Sequence, residues 1–130
     1  MSESKCKIRF CVWGQGLDPD HITSLFDLKP EVAHKQGELL PNGKSKYKYG
    51  SWEVIKIINT DDFENEFELF LNMLDLRIEQ VKIINKKFSS YIGITVYGSE
   101  MGELYIYPHL YSNLVSLGIG LNISFMSWSI

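Results

Sequence analysis

An α+β fold, with a mostly antiparallel sheet and helices packed on one of its faces, is predicted by three features of this 130-residue chain. Alternating apolar and polar residues recur at 6–12, 51–59, 90–97 and 119–125, the period-2 signature of strands with one buried face. Amphipathic runs at helical spacing separate them, and two of these open at prolines, Pro19 and Pro108. The third feature is a candidate internal strand–helix–strand repeat. In each half a strand ends in an aromatic–glycine pair, Trp13-Gly14 and Tyr97-Gly98. Apolar residues then fall six, seven and nine positions after the proline, at Leu25, Phe26 and Leu28 and at Leu114, Val115 and Leu117. Layers of this kind bury a sheet face under helices.

The first strand alternates Cys6, Ile8, Phe10 and Val12 with Lys7, Arg9 and Cys11. It stops at Gly14-Gln15-Gly16, and a helix start follows at once, with Asp18 as N-cap, Pro19 in the first helical position and Asp20 in the first turn. Ile22, Leu25 and Phe26 keep the helical spacing. Leu28-Lys29-Pro30 ends the element, because a residue before proline resists the helical region. Val32-Ala33-His34-Lys35 reads as a short strand and Pro41-Asn42-Gly43 as a turn. The β-branched run at 51–59 places Trp52, Val54 and Ile58 on one face and Ile55 and Ile57 on the other, so a central place in the sheet is expected.

Thr60-Asp61-Asp62 is expected to cap the next helical run. There Phe63, Phe67, Phe70 and Leu74, then Ile78, Val81, Ile84 and Phe88, recur three or four apart. One helix over the whole run would far exceed the ~11–12-residue average, so two helices meeting near Asp75-Leu76-Arg77 are expected. The strand at 90–97 turns Ile92, Ile94 and Val96 inward, residues 98–102 turn the chain, and Leu104-Tyr105-Ile106-Tyr107 reads as a second, shorter strand. Pro108 opens a helix carrying Leu110, Leu114 and Leu117, closed by Gly118 where a left-handed residue is favoured. Ile119, Leu121, Ile123 and Phe125 mark the last strand.

Residues 1–130 are expected to form a single domain. A chain this size buries roughly two-thirds of the surface its unfolded form exposes, which suffices for a core without metal or disulfide support. Met1-Ser2-Glu3-Ser4-Lys5 lacks the apolar segment of a secretory signal, and no apolar run approaches the ~20 residues of a membrane span. Cys6 and Cys11 lie five apart on one strand and so face opposite ways, so both are read as reduced thiols of a cytoplasmic protein. The net charge of −3 argues against general nucleic-acid binding.

No motif carries chemistry. Gly14-x-Gly16 sits where phosphate loops sit, but the third glycine is missing and the Asp18 carboxylate occupies the cap a phosphate would want, so a turn is the better reading. His21, His34 and His109 lack chelate spacing, and neither cysteine has a histidine partner in sequence. Glu53, Glu100 and Glu103 are carboxylates that no spacing singles out. Hence no catalytic, cofactor or metal residue is assigned, and the chain is read as not an enzyme.

Two charge features remain. Asp61, Asp62, Glu64, Glu66 and Glu68 put five acids in eight residues at a helix start. They form either a solvated face that favours the helix dipole or a docking surface that steers a basic partner. Lys44, Lys46 and Lys48 interleave with Tyr47 and Tyr49, either as a solvated loop or as a ligand loop over a pocket floored by Trp52. At the C-terminus, Trp128 and Ile130 are apolar where chain ends are usually polar, which suits packing on the core or a contact with a second subunit.

Several of these residues together resemble a small bacterial family catalogued as domain of unknown function 4279. They are Phe10, Gly14, Leu17-Asp18-Pro19, Ile22-Thr23-x-x-Phe26, Leu28-Lys29-Pro30, Lys35-x-Gly37-Glu38, Trp52 and the Leu117-Gly118 turn. The chain departs from the family in the last strand, where Asn122, Ser124 and Phe125 stand in place of an expected acid and tyrosine. The resemblance implies no activity, but it implies a gene context near bacterial toxin systems. The expected function is therefore binding: an immunity-type protein that neutralises a cognate toxin by covering its basic active-site surface with the acidic arc. The alternatives are a small-molecule or nucleotide-responsive module using the lysine–tyrosine loop, and a structural homodimer built on the C-terminal strand.

Overall fold

A computed structural model describes residues 4–98 and 104–126. Among them, one five-stranded sheet comprises β1 (Lys5–Gly14), β2 (Val32–His34), β3 (Gly50–Asn59), β4 (Ser89–Tyr97) and β5 (Gly120–Met126), in the order β2-β3-β1-β4-β5. β1 pairs antiparallel with β3 and β4, β2 antiparallel with β3, and β4 parallel with β5. The helices α1 (Pro19–Phe26), α2 (Phe63–Asp75), α3 (Ile78–Asn85) and α4 (Pro108–Leu117) supply their apolar stripes to one core. The fold is α+β, as the periodicities predict.

Alternation on β1 decides which face the helices take. Cys6, Ile8, Phe10 and Val12 are fully buried and pack with Trp52 and Val54 of β3 and Ile92, Ile94 and Val96 of β4. At the centre the Phe10 ring meets the edges of Phe26 and Trp52, and Phe26 stacks on Trp52 at 5.5 Å. The indole Nε1–H donates to Thr23 Oγ1 at 3.0 Å, so the one polar atom of this cluster is satisfied. Among the described residues no helix lies on the opposite face, which carries Lys5, Lys7, Arg9, Cys11 and Trp13.

Local signals account for the helix ends. Asp18 accepts from Asp20 N–H at 3.1 Å as the N-cap of α1, and Asp27 closes that helix in the left-handed region at φ 55°, which a short polar side chain tolerates. Gly118 closes α4 likewise at φ 68°. The long helical run breaks at Leu76-Arg77 into α2 and α3, as expected.

Four expectations need correction. The central strand is β1, and β3 lies one place out, between β1 and β2: among the described residues only the three-residue β2 and the Glu31 carboxylate on Ile55 N–H cover its outer side, and Ile57 is 52% exposed. Its apolar residues on a second face had suggested burial that the helix-free side does not provide. Residues 104–107 form no strand; Tyr107 is extended before Pro108, Ile106 is buried and Tyr105 and Tyr107 are outward, so period-2 alternation arises there without a ladder partner among the described residues. Thr60–Asp62 is a single 3-10 turn, and α2 has no side-chain cap. The repeat is not established, since β4 and β5 pair directly around α4 whereas β3 separates β1 from β2. The expected turn at 98–102 beyond Gly98, and Trp128 and Ile130, lie outside the described residues.

Candidate partner-binding surface

The acidic arc owes its orientation to α2. Phe63, Phe67, Phe70, Leu71 and Leu74 form the buried stripe, which leaves the intervening acids toward water. Asp61, Asp62 and Glu64 are exposed; Glu66 and Glu68 are half-buried. Glu66 pairs with Lys56 of β3, and Glu68 Oε1 lies 3.6 Å from His109 Nε2 on α4. The arc is thus not uniform: its two inner acids are engaged within the chain, and its outer three are turned to solvent.

The structure brings to these acids a group of residues that sequence reasoning placed in a strand. Tyr107 lies beside Glu64, whose charge pushes the phenol pKa upward. Tyr105 packs edge-on against Tyr107 at 4.6 Å between ring centres and is 64% exposed. Tyr107 in turn lies 6.2 Å from the His109 ring. Carboxylates beside exposed phenol rings suit guanidinium and ammonium groups, because the acids accept charge-assisted hydrogen bonds and the ring faces attract cations. The available signal was the proline: Tyr-Ile-Tyr before a helix-opening Pro108 turns both rings out if Ile106 faces the core.

The lysine–tyrosine loop lies elsewhere. It folds back through Gly37 N–H to Tyr47 O and Tyr47 N–H to Glu38 O, both 2.9 Å, with Asn42 Oδ1 accepting from Lys44 N–H at the tip. Tyr47 stacks on His34 at 3.4 Å, and Tyr49 meets the edge of Trp13. Lys44, Lys46 and Lys48 are exposed. Trp52 is not their floor, for it is fully buried on the helix side of the sheet.

The helix-free face of the sheet holds the remaining polar cluster. Arg9 Nη1 is 3.7 Å from Glu53 Oε1, and Cys11 Sγ–H donates to the same oxygen at 3.3 Å. Burial pushes the Cys11 thiol up to about 12; a Tyr91 hydrogen bond opposes this and the Glu53 charge adds to it. Tyr91 is raised to about 12, first by burial. A thiol and phenol so held stay protonated near neutral pH and supply no ready nucleophile. The histidines do not converge: His34 Nε2 lies 3.0 Å from Ser51 Oγ, His109 meets one carboxylate, and His21 lies in a groove of about 350 Å³ between α1 and α3 with Asp18 and Lys87. Among the described residues no three His, Cys, Asp or Glu side chains group to hold a metal. Glu100 and Glu103 lie outside them.

Fold and surface together define a small two-layer α+β protein whose charged and aromatic display sits on the helix layer. The chain belongs to the family described as Domain of unknown function (DUF4279), whose model matches residues 4–128. No curated protein and no solved structure matches it.

Proposed function

We propose that this chain is a non-catalytic binding protein of the immunity type, working in the cytoplasm, that recognises a basic protein surface with the start of α2 and the tyrosines before α4. The observation that supports this most is the junction of Glu64 and Glu68 with Tyr107 and His109. It sets Glu64, one of three exposed acids at the start of α2, beside Tyr107, whose ring packs on the exposed Tyr105. Tyrosine is favoured where partners bury against each other, and acids speed the approach of a basic partner. The mechanism is occlusion: the acids meet the cations of a toxin's substrate groove and keep its substrate out. Within the described residues no helix is long and apolar enough to cross a membrane.

Co-purification with the product of the adjacent gene tests the reading. Charge reversal of Glu64, Glu66 and Glu68 together is expected to weaken that capture and abolish protection. Capture and protection unchanged by the triple reversal would rule the surface out.

A further inference from the structure

The two edges of the sheet are treated in opposite ways. At the β2–β3 edge the outer strand is three residues long, and beyond it Glu31 Oε2 accepts from Ile55 N–H at 2.8 Å, which blocks the free side of β3. Lys56 adds a charge there. Short strands, carboxylate plugs and lysines are the usual protection against edge-to-edge pairing. At the other edge β5 runs for seven residues, Gly-Leu-Asn-Ile-Ser-Phe-Met, with no proline, no bulge and no ionisable side chain. Among the described residues it pairs only with β4. Ile123 and Phe125 point to the helix side yet are 38% and 39% exposed.

We propose that β5 pairs antiparallel with β5 of a second copy, about a two-fold axis through Ile123, to give one continuous sheet of two chains. The strand is self-complementary about that residue. Ile123 faces its own mate, Leu121 faces Phe125 of the second copy, and Asn122 faces Ser124, so apolar meets apolar on one face and polar meets polar on the other. Symmetry places like charge against like charge, so in a chain of net charge −3 an uncharged edge is the one that can self-associate without repulsion. The helix layer extends the contact. On α4, His109 reaches Glu68 of α2 and Ser116 lines the groove toward α3, so both mark the flank facing the other helices. Tyr111 and Val115, at about 100° per residue round the helix, fall on the opposite flank, and Val115 is 80% exposed. That flank adds an aromatic and an aliphatic side chain to the apolar area beside β5. Pairing of whole chains would also join the two helix-free faces into one.

Sedimentation of the full chain, from sub-micromolar to the highest soluble concentration, tests this. The expected species has twice the 15.0 kDa chain mass. Ile123→Lys and Ile123→Glu are each expected to weaken association at least about tenfold with unchanged far-ultraviolet circular dichroism, and an equimolar mixture of the two restores the double-mass particle. Val115→Lys, on an exposed helix position, is expected to weaken it as well, and guards against a strand variant that folds poorly. A wild-type chain that stays single throughout, including one that takes up another protein's strand on β5 instead, overturns the proposal. So does a dimer that none of the three substitutions affects.

Discussion

Cys6 and Cys11 sit on opposite faces of β1, both closed to water. Their sequence spacing predicted free thiols on two faces, and both are free. Burial raises each from 9.0 to about 12. The sign follows from proton binding: between pH 9 and about 12 the unfolded chain releases thiol protons that the folded chain keeps. Stability is therefore intact below pH 9 and falls as pH rises through that window, and Tyr91 adds to the loss above its ordinary value of 10.0. Urea titrations across this range are expected to show the decline, with a shallower slope in Cys11→Ala. A stability constant from pH 9 to 11 would contradict the burial of the thiols. Arg77 shows what residue-level reading missed. Its Nε donates to Phe26 O at 2.7 Å and its Nη1 to Met73 O at 2.9 Å, so one guanidinium closes the C-terminal ends of α1 and α2 together. Arg77→Ala is expected to lower the unfolding free energy by about 1–3 kcal/mol, and Arg77→Lys to recover little of it, since a point cation does not span both carbonyls.

At the scale of elements, local chemistry was legible and lateral neighbours were not. Asp18 and Pro19, the break at Leu76-Arg77 and the Gly118 cap were readable because each acts within a few residues. The place of β3 and the false strand at 104–107 were misread because alternation reports a side chain's face and says nothing of who lies alongside. Two glycines inside strands separate these cases. At Gly50 an added methyl would meet the Leu17 carbonyl oxygen and lie 3.0 Å from Leu17 Cβ, so the turn into α1 would have to move. Gly50→Ala is expected to cost about 1–3 kcal/mol. At Gly93 the methyl would come within 2.6 Å of Arg9 Nη2, the end of a flexible side chain that can swing away. Gly93→Ala is expected to change stability by less than about 1 kcal/mol, because only the Arg9–Glu53 pair is disturbed. Equal losses in the two variants, measured by chemical denaturation, would contradict this account.

For the molecule as a whole, one layer of helices over one sheet leaves two displays of different character. The helix-free face offers Arg9, Glu53, Trp13 and the Tyr47–His34 stack, and the helix layer offers acids and tyrosines. The acidic half of the candidate surface was plain in the sequence, because five acids in eight residues need no neighbours to be noticed. The tyrosine half needed the fold, since Tyr107 lies 43 positions from Glu64 and meets it only when α4 docks against α2. Hydrogen exchange on the complex with the co-purified protein tests the proposed surface most directly. Slowed exchange is expected in residues 60–68 and 105–110, with β1 and the loop at 44–49 unchanged. Protection confined to the helix-free face of the sheet, with α2 and the start of α4 unaffected, would contradict the account.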